Sequence, residues 1–178
     1  MLFEIFVIVA TVIVLFVLNV KDKDIKRKFL ITFISVLLFE YFTSALWINK
    51  NLEYWAYLYK GVSWIITLGW TSIILASIAL VNYTLPKLSE GKRFIVQLLV
   101  VSVVGFFAEI LVRLLGIRDY SALAQKAMSG VMIGGVPIEA IYYIPVFMAL
   151  VISFKRYWEI SFNEKKIIEQ PISRRKNK

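Results

Sequence analysis

Residues 2–20 read LFEIFVIVATVIVLFVLNV, and the run KDKDIKRK follows them at residues 21–28. The first run is almost unbroken Val, Ile, Phe and Leu. With a rise of about 1.5 Å per residue, a helix of this length can cross a hydrocarbon core about 30 Å thick. No cation precedes the run and no small-residue cleavage site follows it, so we interpret it as a retained span rather than a signal peptide.

Four more apolar runs follow this first one, at residues 29–48, 62–85, 94–117 and 137–154. The 178 residues are 60% hydrophobic, with a mean hydropathy of +0.74, whereas soluble domains are near half apolar. Lipid offers the backbone no hydrogen-bond partners, so each run should be helical. The sequence therefore predicts an all-α transmembrane bundle of about five spans. We expect one domain over residues 1–160 and a basic cytoplasmic tail at residues 161–178.

Basic residues distinguish the two sides of this predicted bundle. The connection at residues 21–28 carries five Lys and Arg, and the connection at residues 86–93 carries three. The connections at residues 49–61 and 118–136 carry two each, and the C-terminal tail is basic again. Because basic loops stay in the cytoplasm, this alternation predicts a multi-pass cell-membrane protein with its N-terminus outside. We attribute the net charge of +9 to topology, and expect no nucleic-acid partner.

The sequence contains neither histidine nor cysteine. This excludes thiol chemistry and disulfides, and argues against zinc or haem held by their usual ligands. Imidazole acid–base catalysis is excluded as well. We expect no cofactor and no metal, so any catalysis must use carboxyl, phenol, amine, guanidinium or hydroxyl groups.

A weak internal repeat appears when the chain is shifted by 69 residues. The shift places Glu40 on Glu109 and Gly61 on Gly130. The other matches are Leu46 on Leu115, Ile48 on Ile117 and Val62 on Val131. The repeat halves would be residues 29–85 and 94–154, two helical hairpins related by an axis near the membrane normal.

The four apolar runs after the first contain four charged residues: Glu40, Glu109, Arg113 and Glu139. Each costs about 2.5–3.5 kcal/mol on insertion scales, so their presence predicts a shared polar site in the outer half of the membrane. Alternatives remain open. Glu109 and Arg113, four residues apart, would neutralise each other on one helix face. Glu139 would be an ordinary first-turn acid if Pro137 begins the last helix.

Aromatic residues surround these acids in sequence, among them Trp47, Trp70, Tyr142 and Tyr143. Ring faces stabilise a cation in a dry pocket, although lipid contact and helix packing also explain such residues. In the outer connections, Tyr54, Trp55, Tyr57 and Tyr59 are typical of an interfacial aromatic belt. Residues 121–128 are predicted to form a short amphipathic helix.

Residues 130–145, GVMIGGVPIEAIYYIP, resemble the lycopene cyclase domain of the small integral-membrane type. That family opens an aromatic-rich transmembrane helix with a Pro-x-Glu-acid signature after a glycine-bearing turn. Ala140 stands where the family has its second acid. Glu40 with Trp47, and Glu109 with Gly116, resemble the acid that the family carries in the preceding span. The related membrane carotenoid hydratases have a similar layout.

The resemblance implies a membrane-dissolved isoprenoid or polyene substrate and acid-initiated cyclisation or hydration. Glu139 would be the acid, and Glu109 or Glu40 the balancing charge. Substrate would be held by Arg113, Tyr142, Tyr143, Trp70 and Trp47. Two other hypotheses for the function stay open: a small proton-coupled transporter, and a non-catalytic lipid-binding or assembly subunit. A homo-oligomer or a hetero-oligomer in the membrane is compatible with each.

Overall fold

The computed structural model of the chain describes residues 1–59 and 61–168. Six α-helices account for most of it: α1 (Leu2–Lys21), α2 (Ile25–Phe42), α3 (Trp64–Thr84), α4 (Glu90–Leu114), α5 (Ala122–Ala127) and α6 (Ala140–Ile168). Six short strands lie in the connections: β1 (Trp47–Asn49), β2 (Tyr57–Tyr59), β3 (Val62–Ser63), β4 (Arg118–Tyr120), β5 (Met132–Ile133) and β6 (Val136–Pro137). The predicted all-α class is confirmed.

Four of the described helices are long and apolar enough to cross a membrane: α1, α3, α4 and the Ala140–Phe162 part of α6. This is compatible with the predicted membrane protein. The fifth long helix, α2, is not among them because its 18 residues include Lys26, Arg27, Lys28 and Glu40.

The five long helices alternate in direction. Strand β1 follows α2 and pairs antiparallel with β4, which follows α4, so α2 and α4 end side by side. Glu4 in the first turn of α1 accepts a hydrogen bond from the Glu53 backbone NH at 2.8 Å, which places the start of α1 at the same end. We call this the loop end. At the opposite end, which we call the basic end, residues 21–28, 85–93 and 155–159 gather.

Two predicted spans end earlier than their hydropathy indicated. Helix α2 stops at Phe42 rather than near residue 48, because the apolar residues Trp47 and Ile48 pair with β4 as a strand. Helix α4 stops at Leu114 rather than near residue 117. There Gly116, with a φ of +68°, allows the Ile117 NH to donate to the carbonyl of Val112 at 2.9 Å. This backbone turn is a common helix terminator in which glycine is the favoured residue.

The last long helix begins at Ala140, not at the predicted Pro137, which lies in β6 opposite Met132. Glu139 therefore precedes the helix, and its carbonyl accepts from the NH groups of Tyr142 and Tyr143 at 2.9 and 3.1 Å. Helix α6 continues to Ile168, so the first residues of the predicted tail are helical. Residues 169–178 lie outside the described residues. The short helix expected at residues 121–128 is confirmed as α5.

Helix α3 lies at the centre of the bundle and contacts α1, α2 and α4, while α6 packs on α2 and α4. The fully buried core side chains come from several helices, including Val36, Ile74, Val101 and Met148. By contrast, α1 and α4 expose large apolar side chains such as Phe16 and Leu99. Continuous apolar faces of this kind suit hydrocarbon rather than water as the surrounding solvent.

The hairpin between β5 and β6 generates a stability prediction. Gly134 has a φ of +58°, and a Cβ there would lie 3.0 Å from the Cγ2 atom of Ile110. Gly130 also has a positive φ, of +85°, but has open space around the Cβ position. In Gly130→Ala we expect the left-handed backbone alone to cost about 1–2 kcal/mol.

Gly134→Ala should lower the free energy of unfolding by a further 1–3 kcal/mol or so, because it adds crowding against Ile110. Thermal unfolding of the two variants in the same detergent measures the difference. Equal losses would show that the hairpin does not pack against α4 as described.

Candidate functional site

A cavity of about 270 Å³ lies at the loop end between α2, α4 and α6, with α5 beside it. We call it the carboxyl chamber, because three of its lining residues are Glu40, Glu109 and Glu139. Each acid comes from a different part of the chain: α2, α4 and the turn before α6. The other polar or aromatic lining groups include Arg118, Trp47, Tyr143, Trp70, Phe39 and Phe147. Six of the eight predicted site residues therefore line one space.

Glu40 forms a buried ion pair with Arg118. The Arg118 Nη2 atom donates to Glu40 Oε2 at 2.6 Å, and the two side chains are only 3% and 5% exposed. The guanidinium of Arg118 also lies 4.6 Å from the centre of the Trp47 ring. Burial acts to lower the pKa of Arg118, but the acidic groups around it, first of all the Glu40 carboxylate, outweigh burial and raise that pKa. Arg118 therefore carries its charge inside the protein.

Glu109 ends a short chain of hydroxyl groups. The Tyr120 hydroxyl donates to Glu109 Oε1 at 3.3 Å and lies 2.8 Å from the Tyr143 hydroxyl. Burial raises the pKa of Tyr120 well above its ordinary value, so its hydroxyl stays protonated and can donate. Trp47 packs beside both phenol rings, at centroid distances of 5.4 and 5.5 Å. The carboxyl of Glu109 thus contacts a phenol, not a cation.

Glu139 lies at the edge of the chamber and is half-buried. Its Oε1 atom accepts a hydrogen bond from the Ser129 backbone NH at 2.7 Å, while its Oε2 atom is buried and has no partner. The hydrogen bonds from Ser129 lower the pKa of Glu139 below its ordinary value. The β5–β6 hairpin brings Ser129 and Glu139 together, so this carboxylate is positioned by loop geometry rather than by a helix face.

Two predicted site residues do not line the chamber. Arg113 forms an ion pair with Asp119 instead of Glu109, and its Nε atom donates to the Gly135 carbonyl at 3.0 Å. Tyr142 points outward and is 73% exposed. Arg113 remains close to the site, since its guanidinium lies 5.3 Å from the Tyr120 ring. It positions the loops that bound the chamber rather than contacting the space itself.

Sequence reasoning missed Arg118 and Tyr120, both in β4. They follow α4 directly and alternate about Asp119, so their side chains share the strand face that is buried. Asp119 points the other way, where Lys50 donates to its Oδ2 atom at 2.7 Å. Burial acts to raise the pKa of Asp119, but the hydrogen bonds from Lys50 and the Tyr120 NH, together with the charges of Arg113 and Lys50, outweigh it and lower that pKa. The sequence signal for these two residues was the run Arg118-Asp119-Tyr120, in which Arg118 and Tyr120 flank a single aspartate.

Within residues 1–59 and 61–168, no group of three or more Asp and Glu side chains is arranged to hold a metal ion. Comparisons with family models, curated proteins and solved structures found no match to the chain.

The buried ion pair gives a second stability prediction. Arg118→Met should lower the free energy of unfolding by about 3–5 kcal/mol, because it leaves the Glu40 carboxylate buried without a counter-ion. Adding Glu40→Gln to that variant should recover much of the loss. Unfolding in detergent followed by tryptophan fluorescence completes the double-mutant cycle.

Lys50→Met is the control, because its ion pair with Asp119 is partly exposed and should contribute about 1 kcal/mol or less. Additive effects of the Glu40 and Arg118 substitutions would rule out a direct buried contact between the two side chains.

Proposed function

We propose that the carboxyl chamber binds one end of a membrane-dissolved isoprenoid or polyene and protonates a terminal double bond there. The observation that carries this proposal is the convergence of Glu40, Glu109 and Glu139 on one aromatic-walled cavity. Carboxyl groups at a bundle core are costly and are typical of functional sites. The resemblance of residues 130–145 to the lycopene cyclase domain supports the same substrate class.

We further propose that the chain crosses the cell membrane five times, with α2 as the second crossing and the N-terminus outside. The alternating directions of the five long helices support this, because α2 packs on α1, α3 and α6 and runs between the same two ends of the bundle as they do. So does the charge of the basic end, to which residues 21–28 contribute five cations. In this orientation the carboxyl chamber opens near the outer interface.

The size and walls of the chamber suit the end of a long polyene. A space of about 270 Å³ holds a ring-sized terminus, while the rest of the ligand would remain in the hydrocarbon. The rings of Trp47, Tyr143 and Phe147 bound this space, and aromatic faces stabilise positive charge when water is excluded. A carbocation formed here would therefore meet ring faces on several sides.

The contacts favour Glu109 as the acid. Glu40 is committed to Arg118, and the Ser129 hydrogen bonds favour the ionised form of Glu139. We therefore transfer the acid role that the resemblance implied for Glu139 to Glu109, whose direct partner is the Tyr120 hydroxyl. The Tyr143 hydroxyl, 2.8 Å from that of Tyr120, completes the hydrogen bonding that holds the Tyr120 hydroxyl in place.

The proposed reaction balances without an oxidant or a metal. The carboxyl proton of Glu109 adds to the terminal double bond, leaving a carbocation on the polyene and a carboxylate on Glu109. A second double bond attacks the cation and closes a ring, and a ring proton then returns to Glu109. The product is an isomer of the substrate. Capture of the same cation by water would instead give an alcohol and release the proton.

We also propose that the two halves of the chain are structural repeats. Helix α2, strand β1, a short turn, the β2–β3 hairpin and α3 are followed by the same succession in α4, β4, α5, the β5–β6 hairpin and α6. The antiparallel pairing of β1 with β4 is what a two-fold axis between halves produces. Corresponding elements are offset by 71 residues at β1 and β4 and by 74 at β3 and β6, not by a constant 69.

The activity test uses a polyene added to the purified protein. Wild-type protein incubated with lycopene in liposomes should give a product of the same mass, or one heavier by a single water. Glu109→Gln should reduce conversion by about 10²–10⁴-fold while lycopene still binds, because it removes a general acid. Chromatography with mass spectrometry measures both products.

Glu90→Gln is the matched control on the same helix, because Glu90 is exposed at the basic end. If Glu109→Gln lowers the stability of the protein and the wild-type protein does not bind lycopene, an assembly subunit would be favoured. Proton-driven flux of a solute that is lost in Glu109→Gln would favour a transporter. Either result would overturn the proposal.

The five-crossing topology is tested with single cysteines, since the chain has none of its own. In right-side-out cells, a membrane-impermeant maleimide should label Tyr54→Cys and leave Lys23→Cys unlabelled until the membrane is permeabilised. Both positions are exposed, so equal reactivity is expected after permeabilisation. Labelling of both residues from the same side would show that α2 does not cross.

A further inference from the structure

A second polar cavity, of about 320 Å³, lies at the basic end between α2, α3, α4 and α6. We call it the basic cavity. Its lining includes the four cations Lys28, Arg93, Lys155 and Arg156 and the two acids Glu90 and Glu159. Four positive charges against two negative ones leave a net charge of +2. The cavity is separate from the carboxyl chamber and shares no lining residue with it.

Three of these cations have close carboxylate partners. Lys155 Nζ lies 2.9 Å from both carboxylate oxygens of Glu159. Arg93 contacts Glu90 at 2.8 Å, and Lys28 contacts Asp22 at 2.5 Å. These pairs leave little positive charge unmatched on the three groups.

Arg156 differs from the other three. Its Nη2 atom donates to the Gln97 side-chain carbonyl at 3.1 Å, and its guanidinium lies 5.1 Å from the Phe94 ring. The Glu90 carboxylate is 3.9 Å away, beyond hydrogen-bond distance. Gln97 is 3% exposed, and its amide nitrogen donates to Asn82 at 2.8 Å, which fixes the amide with its oxygen toward Arg156. A buried amide and a ring thus hold a guanidinium whose nearest carboxylate, that of Glu90, is hydrogen-bonded to Arg93 instead.

We propose that the basic cavity binds the phosphate of an anionic membrane phospholipid, with Arg156 as its principal contact. Guanidinium groups bind phosphate oxygens through charge-assisted hydrogen bonds, and basic pockets between transmembrane helices bind lipid headgroups. The same phosphate chemistry occurs in free inorganic phosphate. The cavity favours the lipid because Ile78, Ile152 and Ile160 also line it. Beside it, the faces of α3 and α4 expose Leu80, Ile95 and Leu99, along which acyl chains can lie.

The test is a titration of detergent-solubilised full-length protein with phosphatidylglycerol, followed by native mass spectrometry. Arg156→Gln should weaken binding about fivefold, the effect of one cation near a lipid surface. The control is Lys92→Gln, which removes the same charge from an exposed position in α4 outside the cavity. It should change binding by less than about twofold. Arg156→Lys should bind between wild type and Arg156→Gln, because it keeps the charge but loses the forked donor geometry.

Gln97→Leu keeps every charge and removes the amide that positions Arg156, so it should also weaken phosphatidylglycerol binding. It provides the answer if Arg156→Gln does not fold. Equal losses in Arg156→Gln and Lys92→Gln would overturn the proposal in favour of general surface charge. Equal binding of phosphatidylcholine, whose headgroup carries no net charge, would overturn it in favour of lipid adsorption that does not depend on headgroup charge. Displacement of the lipid by millimolar inorganic phosphate would show that the cavity binds free phosphate rather than a lipid headgroup, and would overturn the proposal. None of these outcomes depends on polyene conversion at the carboxyl chamber.

Discussion

The ion pair between Glu40 and Arg118 is the contact on which the carboxyl chamber depends. It joins the end of α2 to β4, and the β1–β4 pairing that surrounds it holds α2 and α4 side by side at the loop end. A single buried carboxylate at that depth would be strongly unfavourable, whereas a paired one is tolerated when its geometry is good. Because Arg118 is committed to Glu40, Glu109 is left with the Tyr120 hydroxyl as its direct partner.

The two ends of the bundle balance their charged side chains in different ways. At the loop end, acids outnumber cations around a cavity with aromatic walls, and hydroxyl groups complete the hydrogen bonding. At the basic end, cations are in excess and most are matched by acids within the same helix or connection. Apolar helices connect these ends, with α3 buried at the centre and α1 and α4 exposing apolar faces. Function is therefore proposed at the ends, where the polar groups lie.

Hydropathy and charge were sufficient for the helical class and for the positions of the long helices, because a span needs a long apolar run and little else. They could not place helix ends, since Trp47 and Ile48 are as suitable for a strand as for a helix. Charge inside apolar runs identified Glu40, Glu109 and Glu139. It could not identify Arg118 or Tyr120, because their burial depends on a strand pairing between segments 71 residues apart. The i,i+4 spacing of Glu109 and Arg113 indicated a pair that competition from Asp119 prevents.

In the proposed function, a polyene terminus occupies the space between Glu40, Glu109 and Glu139. The most direct measurement is photo-crosslinking with an isoprenoid that carries a benzophenone at one end, followed by peptide mapping. We expect adducts on Trp47, Tyr143 or Phe147, and their loss when unlabelled lycopene competes. Adducts confined to the outward faces of α1 and α4, unaffected by competition, would contradict it.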